Sequence, residues 1–98
     1  MHATKKISKW LQKIGLPAPA IKRLRTADVF DRRGKQFSME YNNVFYQLFF
    51  SKETKRACMT VDKKSIFGSS HAYSAGSHDE IMDNFKTRII AQITEQIL

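Results

Sequence analysis

Ninety-eight residues carrying one cysteine and a net charge of +8 are enough for a single domain with one modest core, and they exclude an internal disulfide. No apolar run is long enough to span a bilayer and the opening MHATKK lacks the apolar stretch of a secretory signal, so the expectation is a soluble, cytoplasmic protein without a membrane partner. Residues 1–35 hold ten basic and two acidic side chains while residues 36–98 hold seven of each, so a basic N-terminal third precedes a neutral scaffold within the single domain 1–98.

Ile7, Trp10, Leu11 and Ile14 follow the i, i+3, i+4, i+7 spacing of one helical face, and the spacing predicts a helix over about residues 5 to 14. Lys5, Lys9 and Lys13 form a second stripe on it. Thr4 is a candidate N-cap. Gly15 suits the position just past the last turn, with Leu16 as the hydrophobic contact and Pro17 as the stop. LPAPA then makes a stiff connector. Residues 19–25 read either as a second short helix opening on Pro19, with Ile21 and Leu24 inward, or as a strand. DRRGK reads as a turn around Gly34.

Three strand signals come next. Phe37, Met39 and Tyr41 alternate with polar residues, VFYQLFF (44–50) is almost wholly apolar, and Ala57, Met59 and Val61 alternate again. Asn42-Asn43 fits the positive φ angles of a tight hairpin turn and SKETK a polar one. GSSHAYSAGS (68–77) is small and polar and reads as a flexible loop. Ser77 with Glu80 predicts a capping box, and Ile81, Phe85, Ile89, Ile93 and Ile97 predict a helix of roughly twenty residues, about 30 Å long. The expected fold is α+β: an N-terminal helix, a three-stranded antiparallel meander and a long C-terminal helix lying across the sheet.

The alternation of side chains along a strand puts Phe45 and Phe49 opposite the set Val44, Tyr46, Leu48 and Phe50. Either the N-terminal helix covers Phe45 and Phe49, or they form a partner or homodimer face, or they stack bases.

The basic third is the strongest functional signal. Lys5, Lys9, Lys13, Lys22, Arg23 and Arg25 lie on adjacent short elements, with Arg32, Arg33 and Lys35 in the following turn. Cations gathered in this way suit a phosphate backbone, whose neutralisation releases counterions, and the expected partner is nucleic acid, DNA or RNA. An acidic protein surface is the alternative, with the chain acting as an interaction module or inhibitor. The N-terminal helix offers too little apolar area to lie at an anionic membrane interface.

Catalysis has little support. His71, His78 and Asp79 match no standard zinc spacing, a Cys58–His71 nucleophile pair has no local signature, and Gly15, Gly34, Gly68 and Gly76 build no phosphate loop. The reading is a non-enzymatic binding protein with no cofactor and no metal, and a hydrolase built on His71, His78 and Asp79 stands only in reserve.

Overall fold

A computed structural model describes residues 3–24 and 33–97. In chain order the elements are α1 (Ala3–Lys13), β1 (Ala20–Leu24), β2 (Gly34–Tyr41), β3 (Val44–Ser51), β4 (Arg56–Ser65), β5 (Gly68–Ser77) and α2 (His78–Ile97). The strands form one antiparallel sheet in the order β1-β2-β3-β4-β5. The α+β class fits the expectation, but five strands stand where the sequence predicts three, and both additions are edge strands.

β1 replaces the short helix considered for residues 19–25. Each X-Pro step in LPAPA biases the chain toward extended backbone, and the extension carries into Ala20–Leu24, which pairs with β2 from Ala20↔Ser38 to Leu24↔Gly34.

β5 replaces the expected loop. Its small side chains are what lets a helix come close: Ala72 and Ser74 pair with Val61 and Met59 on the face that α2 covers. At Gly76, on the same face, a Cβ would lie 3.0 Å from the Glu80 carboxylate. Small residues chosen for close packing have the composition of a loop, so the strand is hidden by its own function.

The ends of the elements follow their local chemistry. At the end of α1, Gly15 takes φ +83°, Leu16 N–H donates to Leu11 C=O at 2.9 Å and Gly15 N–H to Gln12 C=O at 3.1 Å. This is the paired bonding of a glycine-terminated helix. Thr4 lies buried inside α1 instead of capping it. At the start of α2 the capping box forms in both directions, Glu80 N–H to Ser77 Oγ at 3.2 Å and Ser77 N–H to Glu80 Oε1 at 3.4 Å. Asn42 and Asn43 turn the β2–β3 hairpin with φ of 46° and 66°.

Gly34 is the first residue of β2 and not the centre of a turn, and Asp31 and Arg32 of the expected turn lie outside the described residues. Any side chain at Gly34 would strike the Phe50 carbonyl oxygen, 2.2 Å from an ideal Cβ.

Both helices cover the same face of the sheet. Ile7 and Leu11 of α1 join Phe37, Met39, Tyr46, Leu48, Phe50, Met59 and Val61 of the sheet and Ile81, Phe85 and Ile89 of α2 in one core. Phe85 is its hub, with edge-on contacts to Tyr46 at 5.4 Å, Phe37 at 5.8 Å and Trp10 at 6.5 Å. Of the three readings of Phe45 and Phe49, coverage by α1 is therefore corrected. α1 instead contributes to the core that α2 covers, and among the described residues no helix lies on the other side. That open face is built from cross-strand rows: Glu40–Phe45–Asp62–His71, Ser38–Gln47–Thr60–Tyr73 and Gln36–Phe49–Cys58–Ala75. Mixed rows with a Thr60–Gln47 hydrogen bond of 3.5 Å and an Asp62–His71 pair can face water, as one side of an antiparallel sheet commonly does.

Candidate nucleic-acid interface

The edge strand β1 carries Lys22 and Arg23 on opposite sides of the sheet. Lys22 stands opposite Gln36 on the open face, and Arg23 stands directly opposite Lys35 on the helix-covered side, in the row that continues to Phe50. Like charges facing each other across two strands are destabilising. Neither Arg23 nor Lys35 makes an ion pair with a described carboxylate. One lysine on an edge strand discourages pairing with another chain, but that role does not explain a second cation set squarely against the first.

α1 shows the same preference for charge over stability. Its first turn holds Lys5 and Lys6 and no acid, next to the positive end of the helix dipole. Lys5, Lys9 and Lys13 are exposed on the side away from Ile7 and Leu11, and their four-residue spacing sets like charges beside one another. Trp10 is spent within the fold, its ring edge-on to Phe85 with the Lys86 ammonium 5.5 Å from its centre.

The structure thus gathers Arg23 and Lys35 at one edge and Lys5, Lys9 and Lys13 on the outside of α1, and turns Lys22 to the other face. Arg33, just before β2, reaches Glu53 at 3.9 Å, an exposed pair of small energetic weight. Arg25 and Arg32 lie outside the described residues.

Phe45 is half-buried in the open face. Phe49 is only 7% exposed, because its ring lies over Gly34, within 3.0 Å of where a Cβ would stand. The two rings are therefore unequal as a partner face.

The residues considered for catalysis are dispersed. Asp62 and the His71 Nδ1 pair across β4 and β5, while Cys58 stands opposite Ala75, four residues away along β4. His78 opens α2 at the far end of β5, where its Nε2–H donates to the Ser51 carbonyl at 2.9 Å and its ring meets Phe50 edge-on. Among the described residues no three His, Cys, Asp or Glu side chains come together to hold a metal ion.

A cleft of about 330 Å³ lies between the second half of α2 and the β3–β5 side of the sheet. At its floor the Tyr46 hydroxyl donates to Gln92 Oε1 at 2.5 Å, and Gln92 Nε2 donates to the Tyr41 carbonyl at 2.6 Å. Burial pushes the ionisation of Tyr46 upward, with Glu95 and Tyr41 adding to the rise and Arg88 opposing it.

Sequence reasoning missed the β4–β5 hairpin tip. Ile66 and Phe67, its two turn residues, are 93% and 94% exposed, with Lys63 and Lys64 just behind them. Once residues 68–77 are read as a loop, nothing marks Ile66-Phe67 as an apex. The available signal is the run KKSIFG, two large apolar residues immediately before a glycine.

Among the described residues no helix is long and apolar enough to cross a membrane. No family, curated protein or solved structure matches this chain.

Proposed function

We propose that this is a small non-enzymatic binding protein whose basic N-terminal third docks on a polyanion, DNA or RNA, in an accessory role. The observation that carries the reading is Arg23 standing directly against Lys35. A fold that tolerates this repulsion when free gains the most from an anion laid across both groups. Lys5, Lys9 and Lys13 supply a second set of exposed cations on α1, and each phosphate neutralised adds a counterion-release gain. The reading places the protein in the cytoplasm, where Cys58 stays a thiol and needs no partner.

The test is a salt titration of binding to DNA and RNA by the unmodified protein and by the Lys9→Glu, Arg23→Glu double variant. Binding should weaken steeply with salt, and the variant should lower the slope of log K against log salt by about two. Its circular-dichroism spectrum should be unchanged, since both side chains are exposed. Equal retention of both proteins on a DNA column would overturn the assignment of the interface.

A further inference from the structure

Two hairpins sit side by side at one end of the sheet, and they are built differently. The β2–β3 turn uses Asn42-Asn43, residues that tolerate positive φ and face water at no cost. The β4–β5 turn uses Ile66-Phe67, and the backbone does not require them. Gly68 supplies the positive φ of 121°, Ser65 Oγ donates to the Gly68 carbonyl at 2.9 Å, and Phe67 N–H donates to Ser65 Oγ at 3.3 Å. The turn closes through its flanking residues, which leaves the two most exposed large apolar side chains of the described chain without a structural reason.

The tip also projects. Lys64 N–H donates to the Asn43 carbonyl at 3.1 Å, the last tie to the neighbouring hairpin. Ser65 to Gly68 then stand about 7 Å beyond the rest of the sheet. A convex apex of this kind is covered only by something with a slot to receive it.

Its surroundings specify the slot. Lys63 and Lys64 flank it, Ser69 and Ser70 offer hydroxyl donors, and the nearest carboxylate along the hairpin, Asp62, is already held by His71. We propose that Ile66-Phe67 is an apolar wedge that enters between stacked base pairs of a nucleic-acid duplex, with Lys63 and Lys64 on the adjoining phosphates. This rests on the polyanion reading and names how the polyanion is held. A two-stranded ribbon fits a duplex groove, phosphates line its sides, and Phe and Ile are among the side chains that pry base steps apart.

An anionic bilayer also offers charge over an apolar interior, but the rest of the molecule favours the duplex. Arg23 and Lys35 lie in the row of Phe50 and Ala57, nine residues of strand from Ile66, which is about 30 Å. A flat membrane touched by the tip leaves that pair far from its surface. A duplex lying along the strands meets both, since about nine base pairs span the same 30 Å.

The test uses the full chain and a duplex of about twenty base pairs carrying 2-aminopurine, whose emission rises when it is unstacked. The unmodified protein should raise that emission at least about twofold at saturation. Ile66→Ser with Phe67→Ser should abolish the rise and weaken binding by about tenfold, because the lost burial is partly offset by the unstacking no longer needed. The salt slope should not change, since no cation is removed.

Salt-sensitive binding without any rise in emission, and unaffected by the tip variant, overturns the wedge and leaves the polyanion reading standing. Absence of duplex binding overturns the wedge, and absence of binding to single-stranded DNA and RNA as well overturns the polyanion reading with it. Co-sedimentation with phosphatidylserine vesicles that the tip variant abolishes, with no unstacking of the duplex, overturns the wedge in favour of a membrane contact.

Discussion

β3 presents two faces made from adjacent residues of one strand, and they are stabilised by different means. Tyr46, Leu48 and Phe50 face the helices and are closed into a core of interlocking rings, with Phe85 in edge contact with three of them. Phe45, Gln47 and Phe49 face the other way, toward mixed rows in which hydrogen bonds and one covered ring take the place of a second layer. The difference teaches that an apolar strand does not have to be covered twice. VFYQLFF looks like a strand buried on both sides, but one glutamine and a ring folded over Gly34 are enough to let its second face meet water.

The largest effect should come from the hub of the covered face. Phe85 is fully buried and shared by both helices and two strands. Phe85→Ala should cost about 3–5 kcal/mol, a large share of the roughly 5–15 kcal/mol that holds a small domain folded. Chemical denaturation measures this directly, and loss of the near-ultraviolet circular-dichroism signal should accompany it. A cost no greater than that of an open-face substitution would abolish the distinction between the faces.

How far the sequence reveals this arrangement depends on which residues carry the signal. α2 is plain, because its fourth-residue repeat and its capping box are local chemistry. The β2–β3–β4 meander is plain for the same reason, through alternation and Asn42-Asn43. β1 and β5 are not, and the causes differ. β1 is five residues long with Ile21, Lys22 and Arg23 exposed, so it has no inward stripe to display. β5 puts Ala72, Ser74 and Gly76 under α2, where packing needs the absence of bulk. The basic interface is legible as composition, since the cations are concentrated in the first third. Its arrangement is not, because the register that sets Arg23 against Lys35 exists only once β1 is a strand. The hairpin tip shared the fate of β5.

A smaller effect tests how the covered face is closed at its cleft. Burial holds the Tyr46 phenol neutral beyond its ordinary 10.0, so the folded chain keeps that proton more tightly than the unfolded chain. Stability from this group is fully present below pH 10.0 and is lost as pH rises through the raised value. Tyr46→Phe removes both the titration and the bond to Gln92. It should cost about 1 kcal/mol near neutral pH, and stability measured across the alkaline range should fall less steeply than in the unmodified protein. An unchanged alkaline limb would mean that the phenol is not closed off by α2.

The smallest effect belongs to the open face, where Phe45 is half-buried between Glu40 and Asp62. Phe45→Ser removes part of one ring from a surface that water already reaches, so it should cost about 1 kcal/mol or less. Phe49 lies over Gly34 and offers a partner little area, which leaves Phe45 and the exposed Tyr73 as the apolar content of this side. Two separated rings fall well short of the roughly 800 Å² per partner that a stable interface buries. Sedimentation should therefore show a monomer both before and after the substitution. A dimer that Phe45→Ser dissolves would make the open face an interface after all, and the two sides of β3 would then differ only in which of them is covered within the chain and which by a second copy.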